Sequence, residues 1–226
     1  GIVRRFFDRI TSRLSAGIVA VSPGVAASVR QLITRRTVTV IPNGINASPS
    51  WSSITRKEIG LPEHAFVIGA VGRLVSIKRF DLLFDAIALL AKEHDDIVLC
   101  LIGIGPEYAA LQAQAQELQI INRVYFLIDV VAADYYHIFD CFVLPSPREG
   151  ISMALLEALR AQLPGIVISA ASHPVIKHEY NGLVLPTADP LSVARAIIRL
   201  YRNRSLAKKL GIHGRQTIEQ SFSEKK

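Results

Sequence analysis

Two glutamates, Glu149 and Glu157, stand with seven residues between them in the stretch "PREGISMALLEALRAQLPG". Glu149 precedes a glycine and an apolar run, and Glu157 falls inside that run. Acids at such positions are either solvated helix charges or two ends of one ligand site, accepting hydrogen bonds from hydroxyls. Far upstream, "VGRLVSIK" sets Arg73 beside Gly72, with Lys78 five positions later. Two cations at that spacing can serve a diphosphate by charge-assisted hydrogen bonds. The apolar run after Glu149 would open a helix at Gly150, Ile151, Ser152 and Met153, whose free backbone N–H groups and dipole also favour an anion. If the segment from Glu149 to Glu157 is helical throughout, its rise is roughly 12 Å. That is the span from a ribose across a diphosphate to an attached sugar. Glu149 would then face the sugar, and Glu157 the ribose hydroxyls, as acids do in dinucleotide sites.

These residues need elements to bring them together. From residue 64 onward, continuous apolar runs ("AFVIGAVGR", "DIVLCLIG", "RVYFLI", "CFVLPS", "GIVIS", "GLVLP") alternate with helical patterns such as "FDLLFDAIALLAKEH" and "PLSVARAIIRLYRN". "YYHIFD" joins that alternation. Strands apolar on both faces mean a parallel sheet covered by helices on each side, a doubly wound α/β domain with a Rossmann-like sheet. Ligands of such sheets bind outside the carboxyl ends of the strands. Gly72, Arg73 and Lys78, Gly103 and Gly105, Ser146 to Gly150, and Ser169 all follow strand ends, so the topology places them on one rim. Each signal alone is weak. "VGRLVSIK" lacks the G-x-G-x-x-G dinucleotide fingerprint, and the chain contains no P-loop.

The first 46 residues form a separate block. "VRRFFDRITSRL" sets Phe6, Ile10 and Leu14 in one stripe and Arg5, Arg9 and Arg13 in a parallel one. The reading is a solvated helix packed on its neighbour, or a face for an acidic membrane surface or anionic acceptor. A strand ("GIVAVS"), a helix with Pro23 in its first turn, a strand ("TVTVIP") and a turn ("NGIN") follow. Residues 47–63 are rich in Ser and Pro and read as a linker, which leaves 64–226 as the main domain.

Composition narrows the field. The chain has 226 residues, half of them hydrophobic, and a net charge of +7 that asks for an anionic partner. No apolar run approaches the roughly 18 residues that a membrane span needs. The two cysteines, Cys100 and Cys141, lie within apolar runs and read as buried and reduced, which fits a cytoplasmic protein. The six histidines have no metal-ligand spacing with cysteine or each other, so no metal site is expected. His173, near the rim, reads as a surface loop residue.

In order along the chain, "VGRLVSIKRFDLLFDAI", "LIGIGPEYAAL", "RVYFL", "FDCFVLPSPREGISMALLEAL" and "NGLVLPTADPLSVARAI" resemble the family 4 (group 1) glycosyltransferases. These are retaining, metal-independent enzymes of the GT-B fold. The likeness to their C-terminal donor-binding domain runs from about Ala65 to Leu210. It implies that Arg73 and Lys78 hold the donor diphosphate, Glu149 contacts the donor sugar without acting as a nucleophile, and Glu157 contacts the ribose. It also implies that Gly150, Ile151, Ser152 and Met153 cradle sugar and phosphate. Gly72, Gly103, Gly105, Phe126 and Leu127 would border the nucleotide. Residues 1–46 resemble the end of the N-terminal, acceptor-side domain. Most of that domain and the final helix crossing back to it are missing, which implies a fragment or truncated reading frame unable to transfer sugar by itself. The chain departs from the family at Ser152 in "EGIS", at "ASHPV" (Ala171 to Val175), at Gln162 and at Ile128, where glycines or an acid are usual.

The expected function is transfer of a sugar from a nucleoside diphosphate donor to an acceptor hydroxyl with retention, in cell-surface polysaccharide or glycolipid synthesis. The expected partners are the nucleotide-sugar donor and a free or lipid-linked sugar acceptor, with the basic N-terminal helix suited to the inner membrane face. No cofactor, metal or nucleic acid is expected. The alternative is a non-catalytic nucleotide-binding or regulatory module, which the altered loops favour.

Overall fold

The computed structural model describes residues 2–33, 36–46, 52–168 and 175–223, with side chains from Phe7 onward. Ser169, His173 and most of the "ASHPV" loop, residues 47–51 of the expected linker, and the side chains of Arg5 and Phe6 lie outside the described residues. Two compact units emerge, Gly1–Gly44 and Ile45–Lys226.

The first unit is α1 (Ile2–Leu14), β1 (Ile18–Ala20), α2 (Pro23–Leu32) and β2 (Val38–Val40), with β1 and β2 paired in parallel. Ser22 caps α2, its hydroxyl accepting the Val25 N–H at 3.2 Å, and Pro23 occupies the first turn, where its missing N–H costs nothing. Ala20, Ala26 and Val38 form its small core.

The second unit holds β3 (Phe66–Val71), α3 (Phe80–Leu90), β4 (Ile97–Ile102), α4 (Tyr108–Glu117), β5 (Val124–Leu127) and β6 (Cys141–Leu144). It continues through α5 (Met153–Arg160), β7 (Gly165–Ile168), β8 (Gly182–Leu185), α6 (Pro190–Arg202) and α7 (Arg204–Ser221). Its six strands are all parallel, in the order β5-β4-β3-β6-β7-β8. Alternate residues of β3 feed two cores. Phe66 and Ile68 meet α3 and α6, whereas Val67 lies on the face of Tyr136, Phe142 and α5. Cys100 and Cys141 are fully buried free thiols, and burial pushes Cys100 up to about 12. Neither is a nucleophile at neutral pH.

Three local expectations change. Tyr135–Asp140, one of the runs in the expected alternation, is no full element but holds a single 3₁₀ turn, Tyr136–Ile138, that drives Tyr136 and Ile138 into the core. The described part of the expected linker is anchored in the second unit. There the Arg56 guanidinium donates to the carbonyls of Glu63, Ala65 and Ile138 and to the Asp140 carboxylate, at 2.7–3.1 Å. Asp140 also takes the Val67 N–H and Arg204, tying β3, β6 and α7 together. Ile45 belongs to this unit as well, donating its N–H to the Phe222 carbonyl at 2.8 Å.

The strand order reverses between β3 and β6. In an open parallel sheet that reversal is where crossover loops part and a ligand crevice opens.

Candidate functional site

Lys78 and Glu149 meet across that reversal. Lys78 sits in a 3₁₀ turn after β3, and Glu149 in the loop after β6. Lys78 Nζ donates to Glu149 Oε1 at 2.5 Å, and the Ser146 hydroxyl donates to the same oxygen at 2.6 Å. The two charged side chains are 22% and 15% exposed, so the pair is shielded yet open to solvent. Arg73, also after β3, is exposed, and its side chain makes no hydrogen bond or ion pair among the described residues. One cation of the expected pair is therefore held by a carboxylate, and the other projects freely.

Glycine shapes the neighbouring wall. Gly103, at φ +151°, lies so close to the Gly72 carbonyl oxygen that a Cβ would strike it, and a Cβ on Gly105 would strike the Leu74 carbonyl. The loops after β3 and β4 therefore run on as a pair beyond the sheet. Leu74 N–H donates to the Ile104 carbonyl at 2.9 Å, and Gly103 N–H to the Leu127 carbonyl at 3.0 Å. Phe126 turns its ring to Phe84 and Tyr108, at centroid distances of 5.9 and 5.3 Å, so its side chain fills an aromatic cluster. Ile104, Ile128 and Met153 leave apolar surface exposed around this end of the sheet.

The helix after Glu149 starts later than expected. Ser152 is its N-cap, its hydroxyl accepting the Leu155 N–H at 3.4 Å, and regular helix runs from Met153. Gly150 and Ile151 belong to the preceding loop, and only the Met153–Glu157 part of the interval between the glutamates is helical. The estimate of roughly 12 Å for an unbroken helix therefore does not apply. Serine at position 152 has a local reason, because a side-chain oxygen there satisfies a helix donor that a glycine would leave to other partners.

Glu157 has a partner that the sequence reading missed. The Tyr136 hydroxyl, on a fully buried ring, donates to Glu157 Oε2 at 2.8 Å. Burial, then the nearby Glu157 charge, raises the Tyr136 phenol well above its ordinary range, so it stays a donor. The signal was available, since a buried tyrosine hydroxyl needs a partner, but nothing in the sequence named Glu157 as that partner.

One of the family departures has a visible backbone consequence. Gln162 has φ +60°, a left-handed conformation in which glycine is free of strain, whereas Ile128 does not; its neighbour Asp129 does, at +55°. Among the described residues no three of His, Cys, Asp and Glu gather as a metal-ligand group. No described helix is long and apolar enough to cross a membrane.

Residues 52–217 match the family described as glycosyl transferases group 1. The chain belongs to that family. It is 33% identical over 211 residues to the lipopolysaccharide core biosynthesis glycosyltransferase LpsD of Rhizobium meliloti, covering 92% of this chain and 60% of that protein. It is 29% identical over 174 residues to the N-acetyl-alpha-D-glucosaminyl L-malate synthase of Bacillus anthracis, covering 76% of this chain and 45% of that one. The chain thus spans about 60% of the length of the first of these relatives. Among solved structures, the sucrose-phosphate synthase of Thermosynechococcus elongatus superposes with a TM-score of 0.88 at 23% identity, covering 100% of this chain and 59% of that one. Anabaena HepE in complex with UDP-glucose superposes with a TM-score of 0.87 at 19% identity, covering 97% and 64%. These likenesses show the group 1 glycosyltransferase fold, a parallel α/β sheet flanked by helices.

Proposed function

We propose that residues 45–226 form the donor-binding half of a retaining, metal-independent family 4 glycosyltransferase acting in cell-surface polysaccharide or glycolipid synthesis. The observation that carries this reading is the ion pair of Lys78 and Glu149 across the sheet's reversal, with Arg73 exposed after the same strand as Lys78. In this reading Arg73 and Lys78 take the diphosphate of a nucleotide sugar, as its charge builds on departure from the sugar. Two cations and the first N–H groups of α5 meet that charge, which leaves a divalent metal no necessary task. Glu149 exchanges its bond to Lys78 for one to a sugar hydroxyl. It orients the sugar through that bond and serves as a positioning group rather than a nucleophile. Glu157, steadied by Tyr136, takes the ribose diol. Gly72, Gly103 and Gly105 let backbone line the nucleotide closely.

The names of the relatives support this reading, since one is a lipopolysaccharide core enzyme and one solved neighbour is described with UDP-glucose. The acceptor is a free or lipid-linked sugar hydroxyl. The basic face of α1 suits the acidic inner surface of a membrane, and the reduced, buried thiols suit the cytoplasm.

The test is thermal unfolding with UDP, GDP or ADP, with and without EDTA. A ligand at a hundred times its dissociation constant stabilises by about 2.7 kcal/mol. The expected result is a rise in Tm with one of the three that EDTA leaves unchanged and that Arg73→Ala with Lys78→Ala removes. No rise with any of them at millimolar concentration would reject the donor site, and a rise abolished by EDTA would reject the metal-independent part.

A further inference from the structure

The positive charge of this protein is concentrated in its first unit. Residues 1–44 hold seven arginines, no lysine and a single carboxylate, Asp8, a net +6 of the chain's +7. Four of those arginines, Arg9 and Arg13 from α1, Arg30 from α2 and Arg36 from the turn before β2, line one cavity of about 680 Å³ with Ser12 and Gln31. Among the described residues, no acidic one lines it.

Three of the four guanidinium groups are tethered. Arg9 Nε donates to the Leu32 carbonyl at 3.1 Å, Arg30 Nη2 to the Val38 carbonyl at 2.8 Å, and Arg36 Nη1 to the Ser15 carbonyl at 2.5 Å. Leu32 ends α2 and Ser15 follows α1, so two of these bonds satisfy carbonyls at helix C-termini. That explains one N–H on each of these three arginines. It does not explain why the groups converge. Arg9 and Arg30 have further N–H donors without a protein partner among the described residues, and Arg13 has no partner there at all. Like charges gathered around one concavity repel, and a multivalent anion at its centre reverses the sign of that energy. Arginine forks held in place by backbone carbonyls match phosphate oxygens and lose little side-chain freedom on binding.

We propose that this cavity is a binding site for a phosphate-bearing ligand, separate from the donor site on the second unit. It takes a phosphate monoester or diphosphate, carried either by a lipid headgroup or by a soluble phosphorylated molecule. Residues of the first unit alone define it, so it does not depend on the donor reading.

The experiment titrates inorganic pyrophosphate into the full chain with UDP held at saturation, read by calorimetry. Pyrophosphate binding is expected in the parent and to weaken roughly tenfold in Arg13→Gln, the loss of one charge-assisted contact. The Arg13 side chain makes no bond among the described residues, so that variant tests the site without disturbing the fold. Binding should vanish in the Arg9→Gln, Arg13→Gln, Arg30→Gln triple variant and change less than twofold in Arg195→Gln with Arg202→Gln, two exposed arginines of α6. No pyrophosphate binding with UDP present would overturn the proposal, as would equal losses in the α6 control. If UDP itself does not bind, the donor reading fails, and the same titration on Arg73→Gln with Lys78→Gln still decides this site. Flotation with phosphatidylcholine vesicles containing phosphatidic acid separates the two sources. Flotation lost in Arg13→Gln identifies the lipid headgroup, whereas pyrophosphate binding without flotation identifies a soluble phosphate, and either fulfils the proposal.

Discussion

Replacing Glu149 with Gln keeps the shape of the side chain but removes the charge that holds Lys78. The pair is 2.5 Å long, and its side chains are 22% and 15% exposed. A fully exposed ion pair contributes about 0–1 kcal/mol, and a shielded hydrogen bond to a charged group about 1.5–3 kcal/mol. Partial shielding places the Lys78–Glu149 coupling at about 1.5 kcal/mol, at the lower end of the second range. A double-mutant cycle with Lys78→Gln and Glu149→Gln, read by denaturant unfolding, measures that coupling free of the single effects. A coupling below about 0.3 kcal/mol, within the ordinary error of additivity, would refute the pair. Ligand binding gives the second readout. Glu149→Gln releases Lys78 to a diphosphate, so UDP should bind no more weakly than to the parent. The sugar-bearing donor exchanges a charged hydroxyl acceptor for a neutral one and should bind about tenfold more weakly. Equal weakening of UDP and the UDP-sugar would refute the assignment of Glu149 to the sugar.

Tyr136→Phe should weaken UDP about three- to tenfold, the loss of one ordinary hydrogen bond, and leave 2′,3′-dideoxy-UDP unchanged; equal calorimetric losses for both would mean that Tyr136 only supports the core. Gln162→Gly should stabilise by about 0.5–1 kcal/mol, because relief of a left-handed side chain outweighs the added freedom of the unfolded chain, and a lower denaturation midpoint would contradict it. Asp189, the α6 N-cap, is held at about 2 against an ordinary 3.8 by hydrogen bonds from the Ser192 side chain foremost, then Thr187 and the Ser192 amide. Its depressed value means that the native state binds fewer protons than the unfolded chain, so its stabilisation is whole above about pH 4 and lost as pH falls towards about 2. Asp189→Ala should therefore lower Tm at neutral pH by a margin that shrinks on acidification, and a margin constant down to pH 3 would contradict the assignment.

The sheet was legible because its strands are buried on both faces and read as unbroken apolar runs, such as "AFVIGAV" and "IVLCLI". The rim residues were legible because strand ends in such a sheet share one edge. Local geometry was less so. Glu149 looked like the first turn of a helix, yet the backbone turns once more and lets Ser152 cap α5. The 47–63 segment read as linker from its serines and prolines. Its sequence nonetheless carried an anchoring signal in "TRKE", where Thr55 and Glu58 close a capping-box contact at 2.6–2.8 Å and hold the turn that presents Arg56. Long-range partners were hidden. Asp140 joins Arg56 and Arg204, which lie far apart in the chain, and no periodicity links them. The arginine cavity was half visible, as a basic stripe on α1; α2 and the turn before β2 complete it only in three dimensions.

The central claim is that the reversal between β3 and β6 holds a nucleoside diphosphate. A crystal structure of the chain soaked with UDP tests it most directly. The account expects the diphosphate oxygens within hydrogen-bonding distance of Arg73 and Lys78, the ribose hydroxyls on Glu157, and no metal between them. A diphosphate bound away from both cations, or a ribose that leaves Glu157 paired only with Tyr136, would contradict it.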